Sequence, residues 1–255
     1  MSAEARAYTR DRLPVLVEID GKAETDRLWR NLLSSQPMAF SIAGHLHSYR
    51  PAAAALMAKM IELPVTGLSR LDVGTDALSA FALDGIEAEW FPPRSEHTGD
   101  MSGCDIATCL ELVDDRRVLV TIEVKYTDTF SAKPVTWDRY QEHLTALGFD
   151  ATVTRDLVEA GCSQVLRQVM ITHSVQRRGL MPGAGGSGHV DQAVAVVLAR
   201  DDDTTARRVA ETLDRAVGSL VPVQFWSHRR LFEEATDIAD LSAWANRMAG
   251  RYLGA

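Results

Sequence analysis

Several things are scarce in this 255-residue sequence, and each scarcity excludes a class. No apolar run reaches the ~20 residues that a membrane-spanning helix needs. The first residues, MSAEARAYTRDRLP, are charged and lack the apolar core of a secretory signal. Cysteine occurs three times, at 104, 109 and 162, with no CxxC pair. An odd count without a signal implies reduced thiols and a cytoplasmic location, and Cys104 and Cys109 are expected as small core residues rather than zinc ligands. Positive charge is outweighed: 27 Lys and Arg against 35 Asp and Glu leave a formal net charge of −8. Strong non-specific binding to nucleic acid needs a basic surface, so any such contact must be confined to a local strip. The glycine stretch 181–188, MPGAGGSG, lacks the Gly-Lys-Ser/Thr of a phosphate-cradling loop. Internal repeats and long linkers are also missing.

What is present is ordinary for a globular chain: 46% hydrophobic and 24% charged residues, enough for a sizeable core. An N-terminal helical part is expected over about 1–63. Within it, Leu28, Trp29, Leu32 and Leu33 make a helical stripe over 23–36 that Pro37 should end or reset. A second helix is expected over 38–49, with Ala39, Ala43 and Gly44 suited to close packing, and a third opening at Pro51. His45 and His47, two apart, do not share a helix face and make a poor joint metal site. A first strand or hairpin falls within 77–91, broken near Asp84-Gly85 and stopped by Pro92 and Pro93. Helices are read at 136–147, 163–178 and 203–217, strands at 192–199 and 221–226, and helices again to the end. The continuous apolar run QAVAVVLA at 192–199 has the pattern of a strand covered on both faces. The order gives one α/β domain with a mixed central sheet flanked by helices, its core over about 64–227 and C-terminal helices over about 228–255.

The centre of the chain is the pair of alternating runs 105–113 and 117–126, a β-hairpin about the charged turn Asp114–Arg117. Glu123 and Lys125 share one face of the second strand, Ile122 and Val124 the other. Asp105 begins the first strand. Directly opposed residues share a face, so an odd turn is required to bring Asp105 to the same side. A three-residue turn at Asp114–Arg116 would set Asp105 opposite Lys125 and Ala107 opposite Glu123. Taken alone, the pattern fits a salt bridge at the wet end of a strand as well as it fits a site.

The pattern Asp-x(17)-Glu-x-Lys on adjacent strands resembles the PD-(D/E)XK nuclease superfamily. Further blocks, in order, are similar to a bacterial restriction endonuclease-like branch of it: Asn31–Phe40, Glu89-Trp-Phe-Pro-Pro93, Gly99–Asp105, Ile122–Tyr126 and Arg139-Tyr140. Ser41, Ala43 and Pro93 depart from that branch's usual residues; Asp105, Glu123 and Lys125 do not. The resemblance implies a restriction endonuclease-like αβββαβ core and a Mg²⁺- or Mn²⁺-dependent nuclease hydrolysing DNA, in bacterial defence or DNA processing. It implies that Asp105 and Glu123 hold the metal and that Lys125 acts on the attacking water. The Val124 carbonyl is a candidate further ligand, as is Glu89, which shares a strand face with Glu87. Gln168, on the later helix, is a candidate accessory residue. Arg94, Arg177, Arg178, Arg229 and Arg230 are candidate backbone-binding cations, with Lys133, Arg139, Arg167 and His228 behind them. A homodimer or a protein partner is a further expectation, and the contrasting reading is a catalytically inactive module of the same fold that binds nucleic acid or a partner protein.

Overall fold

The computed structural model describes residues 1–21, 23–31, 33–71, 85–99, 102–130, 136–180 and 188–253. Four helices come first: α1 (Ala3–Glu18), α2 (Thr25–Arg30), α3 (Ser35–Ser48) and α4 (Arg50–Ile61). Pro37 resets the helical run rather than ending it, since it sits in the first turn of α3. There a missing N–H costs nothing, and the Ser34 side chain caps the turn by accepting from Gln36 N–H. The expected stripe over 23–36 is therefore split. Leu28 is buried, while Trp29 and Leu33 are exposed; Leu32 lies outside the described residues. Gly44 of α3 does permit a close approach. A Cβ there would stand 2.8 Å from the Tyr8 ring and 2.9 Å from the Ala5 Cα, so α1 lies directly on α3.

The six-stranded sheet contains β1 (Val65–Ser69), β2 (Ile86–Trp90), β3 (Cys104–Leu112), β4 (Arg117–Val124), β5 (Gln192–Ala199) and β6 (Val223–Ser227). Its order is β1-β3-β4-β5-β6, with β2 also pairing β3. β1 takes the Cys109–Leu112 end of β3 and β2 the Cys104–Thr108 end, both antiparallel. β3–β4 is antiparallel, and β4–β5 and β5–β6 are parallel. The remaining helices are α5 (Gln141–Ala146), α6 (Ala151–Glu159), α7 (Ser163–Arg178), α8 (Thr204–Val217), α9 (His228–Thr236) and α10 (Ala239–Tyr252). α7 and β5 keep the bounds read from the sequence. β1 and α6 were not anticipated. Residues 77–84 of the expected first strand, and 181–187 of the glycine stretch, lie outside the described residues.

The sheet has helices on both faces. Val194, Val196 and Leu198 of β5 join a core with α3, α4, α9 and α10. Ala195, Val197 and Ala199 face the other way, into a core with α5, α6, α7 and α8. That double coverage is the physical origin of the unbroken apolar run. The result is a mixed α/β architecture of the restriction endonuclease-like type with a helical N-terminus. The three cysteines are buried free thiols. Among the described residues, no helix is long and apolar enough to cross a membrane.

Candidate active site

The β3–β4 hairpin sets the site. Its turn is three residues long, but they are Val113, Asp114 and Asp115: Leu112 N–H donates to Arg116 C=O, and Asp115 takes a left-handed φ of 62°. The register runs from Glu111 opposite Arg117 to Ile106 opposite Ile122. Continued one step, it faces Asp105 with Glu123, not with Lys125 as the sequence suggested. The shift is two residues, so the parity of the faces is preserved.

The side chains follow from that register. Asp105 Oδ2 accepts from Val124 N–H at 2.7 Å. Lys125 Nζ donates to Glu123 Oε1 at 2.8 Å, with both side chains almost fully buried. Burial raises the Asp105 pKa well above the usual carboxylate range, and the Glu123 and Glu89 carboxylates push it further; Lys125 and the Val124 N–H act in opposition. For Lys125, burial works against the ammonium, but Glu123 and Asp105 outweigh it and hold the pKa above the ordinary lysine value. The site therefore carries a charged lysine beside acids that repel one another.

A residue missed by sequence reading completes the group. Gln164, in the first turn of α7, donates from Nε2 to Glu123 Oε1 at 2.6 Å and accepts from Lys125 Nζ at 3.2 Å. Gln168, the residue expected here, lies one turn further on. Its Nε2 reaches Thr121 Oγ1 at 3.1 Å and the Val196 carbonyl at 3.4 Å, beneath the sheet rather than at the acids. The sequence contained the signal, since Gln164 and Gln168 are four apart and share a helix face. Which of them meets Glu123 depends on how α7 lies along β4.

Glu89 has a left-handed φ of 49° within β2, uncommon for a residue with a Cβ. Its Oε1 accepts from Gln36 Nε2 of α3 at 3.1 Å. Glu87 does not share its surroundings: it is buried against α1 and α3, accepting from Tyr8 Oη at 2.8 Å with Arg12 Nε at 3.7 Å. Beyond Lys125, Tyr126–Phe130 and Arg200, Asp202 and Asp203 line a cavity of about 350 Å³ at the carboxyl ends of β4 and β5. His45 and His47 diverge: His45 stacks on Trp244, while His47 meets the Tyr8 ring and the Ile86 carbonyl.

Most of the expected backbone-binding cations have partners inside the protein. Arg94 lies over the Phe91 ring and donates to the Asp20 carbonyl. Arg178 holds the Glu96 carbonyl and the Glu142 carboxylate. Arg229 pairs with Asp201, and Arg230 with Glu62 and the end of α4. Arg167 reaches Ser102. Arg177 is exposed and forms no ion pair among the described residues. Lys133 lies outside them.

A family model described as the PD-(D/E)XK nuclease superfamily matches residues 1–254. No curated protein matches the chain, and no solved structure does.

Proposed function

The chain belongs to the PD-(D/E)XK nuclease superfamily, and on that footing we propose that it is a metal-dependent phosphodiesterase hydrolysing DNA, in bacterial defence or DNA processing. The observation that carries the reading is the gathering of Asp105, Glu123 and Lys125 on one hairpin. Glu123 meets Lys125 at 2.8 Å, and Asp105 is anchored on the backbone N–H between them.

The donor chemistry fits a hard divalent cation. Mg²⁺ and Mn²⁺ take oxygen ligands, and Mg²⁺ commonly uses one or two carboxylates while keeping several waters. Asp105 and Glu123 supply the two carboxylates, and a nearby positive charge would offset the burial and the mutual repulsion that together raise the Asp105 pKa. No three His, Cys, Asp or Glu side chains among the described residues gather as a ligand set. The Val124 carbonyl and water would therefore complete the shell, with Glu89 as the nearest further acid. When bound, the cation neutralises the phosphate and activates a water. Lys125, which meets Glu123 at 2.8 Å, would orient or deprotonate that water, or stabilise charge developing on the phosphate oxygens. Gln164 holds Glu123 and Lys125 in mutual register.

The test is incubation with plasmid and linear DNA in Mg²⁺, Mn²⁺ or EDTA, beside a Lys125→Ala variant. Cleavage that needs the cation and Lys125 is the expected result. Absence of cleavage with every cation, together with retained binding of DNA or of a protein, would replace this reading with that of an inactive module. In that case the net charge of −8 favours a protein over DNA as the bound partner.

A further inference from the structure

Among the described strands, β2 pairs only with β3, and its outer edge is met by side chains of α1 instead of by another strand. At Ala88 both backbone groups are taken. Its N–H donates to Tyr8 Oη at 2.8 Å, and its carbonyl accepts from Arg12 Nε at 3.1 Å. Arg12 Nη2 also reaches the carbonyl of the next residue, Glu89, at 3.5 Å. Consecutive carbonyls of a regular strand point to opposite edges. One guanidinium can bind both from one side only if the chain turns between them, and Glu89 is where it turns, at φ 49°. The register is otherwise unbroken: Ala88 faces Ile106, Trp90 faces Cys104, and Glu89 falls at the position across from Asp105. Arg12 and Glu87 are both buried, and Tyr8 donates to Glu87 at 2.8 Å, so the clamp itself is held rigidly.

We propose that Arg12, supported by Tyr8, is a positioning residue for Glu89: α1 substitutes for an edge strand, and the Arg12 fork imposes the left-handed turn that sets the Glu89 carboxylate beside Asp105. Strain of this kind persists only where surrounding contacts over-determine it, and here those contacts are identifiable. The Glu89 charge adds to the pull on a cation at Asp105 and Glu123. This part rests on the reading of those two acids as metal-binding. The helical N-terminus thereby becomes part of the site.

Two measurements on the full chain test it. The first needs no metal. Glycine accepts a left-handed φ without penalty and alanine does not, so Glu89→Gly should melt above Glu89→Ala. Combining each with Arg12→Met/Glu87→Gln, which removes the pair without stranding a buried charge, should close that gap. An unchanged gap would overturn the clamp. Arg12→Lys, which keeps the charge but cannot fork between two carbonyls, serves if the double variant does not fold, and it too should narrow the gap.

The second is Mn²⁺ titration by calorimetry. Affinity should fall about tenfold in Arg12→Lys, as when an outer-shell partner is lost, and adding Glu89→Gln should weaken it little further. Additive losses, or an unchanged affinity in Arg12→Lys, would overturn the positioning role. A wild-type protein that binds no Mn²⁺ while the Gly–Ala gap still responds to Arg12 would overturn the metal-binding reading and support the clamp.

Discussion

The Glu123 carboxylate and the Gln164 amide meet at 2.6 Å, joining the end of β4 to the first turn of α7. Gln168, one turn later, binds Thr121 and the Val196 carbonyl instead. The two glutamines should therefore separate in function. Gln164→Ala is expected to lower cleavage about tenfold or more, as losses of partners around a metal site do. Gln168→Ala should cost about 1 kcal/mol of stability for its lost hydrogen bonds and leave the dependence of activity on Mn²⁺ concentration unchanged. Urea unfolding and metal-titrated cleavage assays on both variants decide this, and the reverse pattern would count against Gln164.

Lys125 and Glu123 form a buried pair, so removing one charge should be worse for the fold than removing both. Lys125→Met is expected to destabilise by about 3 kcal/mol, because an uncompensated buried carboxylate remains. Adding Glu123→Gln should recover much of that loss while leaving the protein inactive. Glu123→Gln alone should weaken Mg²⁺ or Mn²⁺ binding more than it weakens the fold. Calorimetric titration and chemical denaturation of the three variants provide the comparison.

Acid should loosen the structure through its buried histidines. Burial pushes the His97 and His228 pKa values down to about 4. An unfolded histidine titrates near 6.5. Between the two values the unfolded chain binds the proton and the folded chain does not, so stability should fall as pH drops from about 6.5 towards 4. The expected slope is about 1.4 kcal/mol per pH unit for each histidine. Burial lowers the pKa of His45, His143 and His173 as well, which adds to the trend. Denaturation midpoints at pH 7, 6 and 5 should show it, and His97→Gln should flatten it.

DNA binding should be weak and strongly salt-dependent. Each phosphate contact contributes about 0.9 to the slope of log K against log salt, and among the described residues Arg94, Arg167, Arg178, Arg229 and Arg230 already have partners inside the protein. Arg177→Glu should lower that slope. Arg229→Glu and Arg230→Glu should act chiefly on stability, since those side chains already bind Asp201 and Glu62. Fluorescence anisotropy with a labelled duplex from low to physiological salt measures this. Binding insensitive to salt and to Arg177→Glu would point to a protein partner.

Local pattern determined much of this protein. The alternation over 105–113 and 117–126 yields β3 and β4, the 3.6-residue stripe of 163–178 yields α7, and the unbroken run at 192–199 yields β5. Parity puts Glu123 and Lys125 on one face and brings Asp105 there for any odd-length turn. These features depend on neighbours within a few residues along the chain, so the sequence displays them.

The partners of those residues were decided by tertiary structure. A turn at Val113–Asp115 instead of Asp114–Arg116 moved Asp105 from Lys125 to Glu123, and only the chain's own backbone distinguishes the two, because Asp115 can take a left-handed φ. The pitch of α7 along β4 put Gln164 at the acids rather than Gln168. Tyr8 and Arg12 lie almost eighty residues before the strand they pin, and Glu89 is left-handed because of them, not because of its neighbours. Contacts between segments so far apart depend on packing, register and the axial placement of whole elements, and these are quantities that no window of sequence contains.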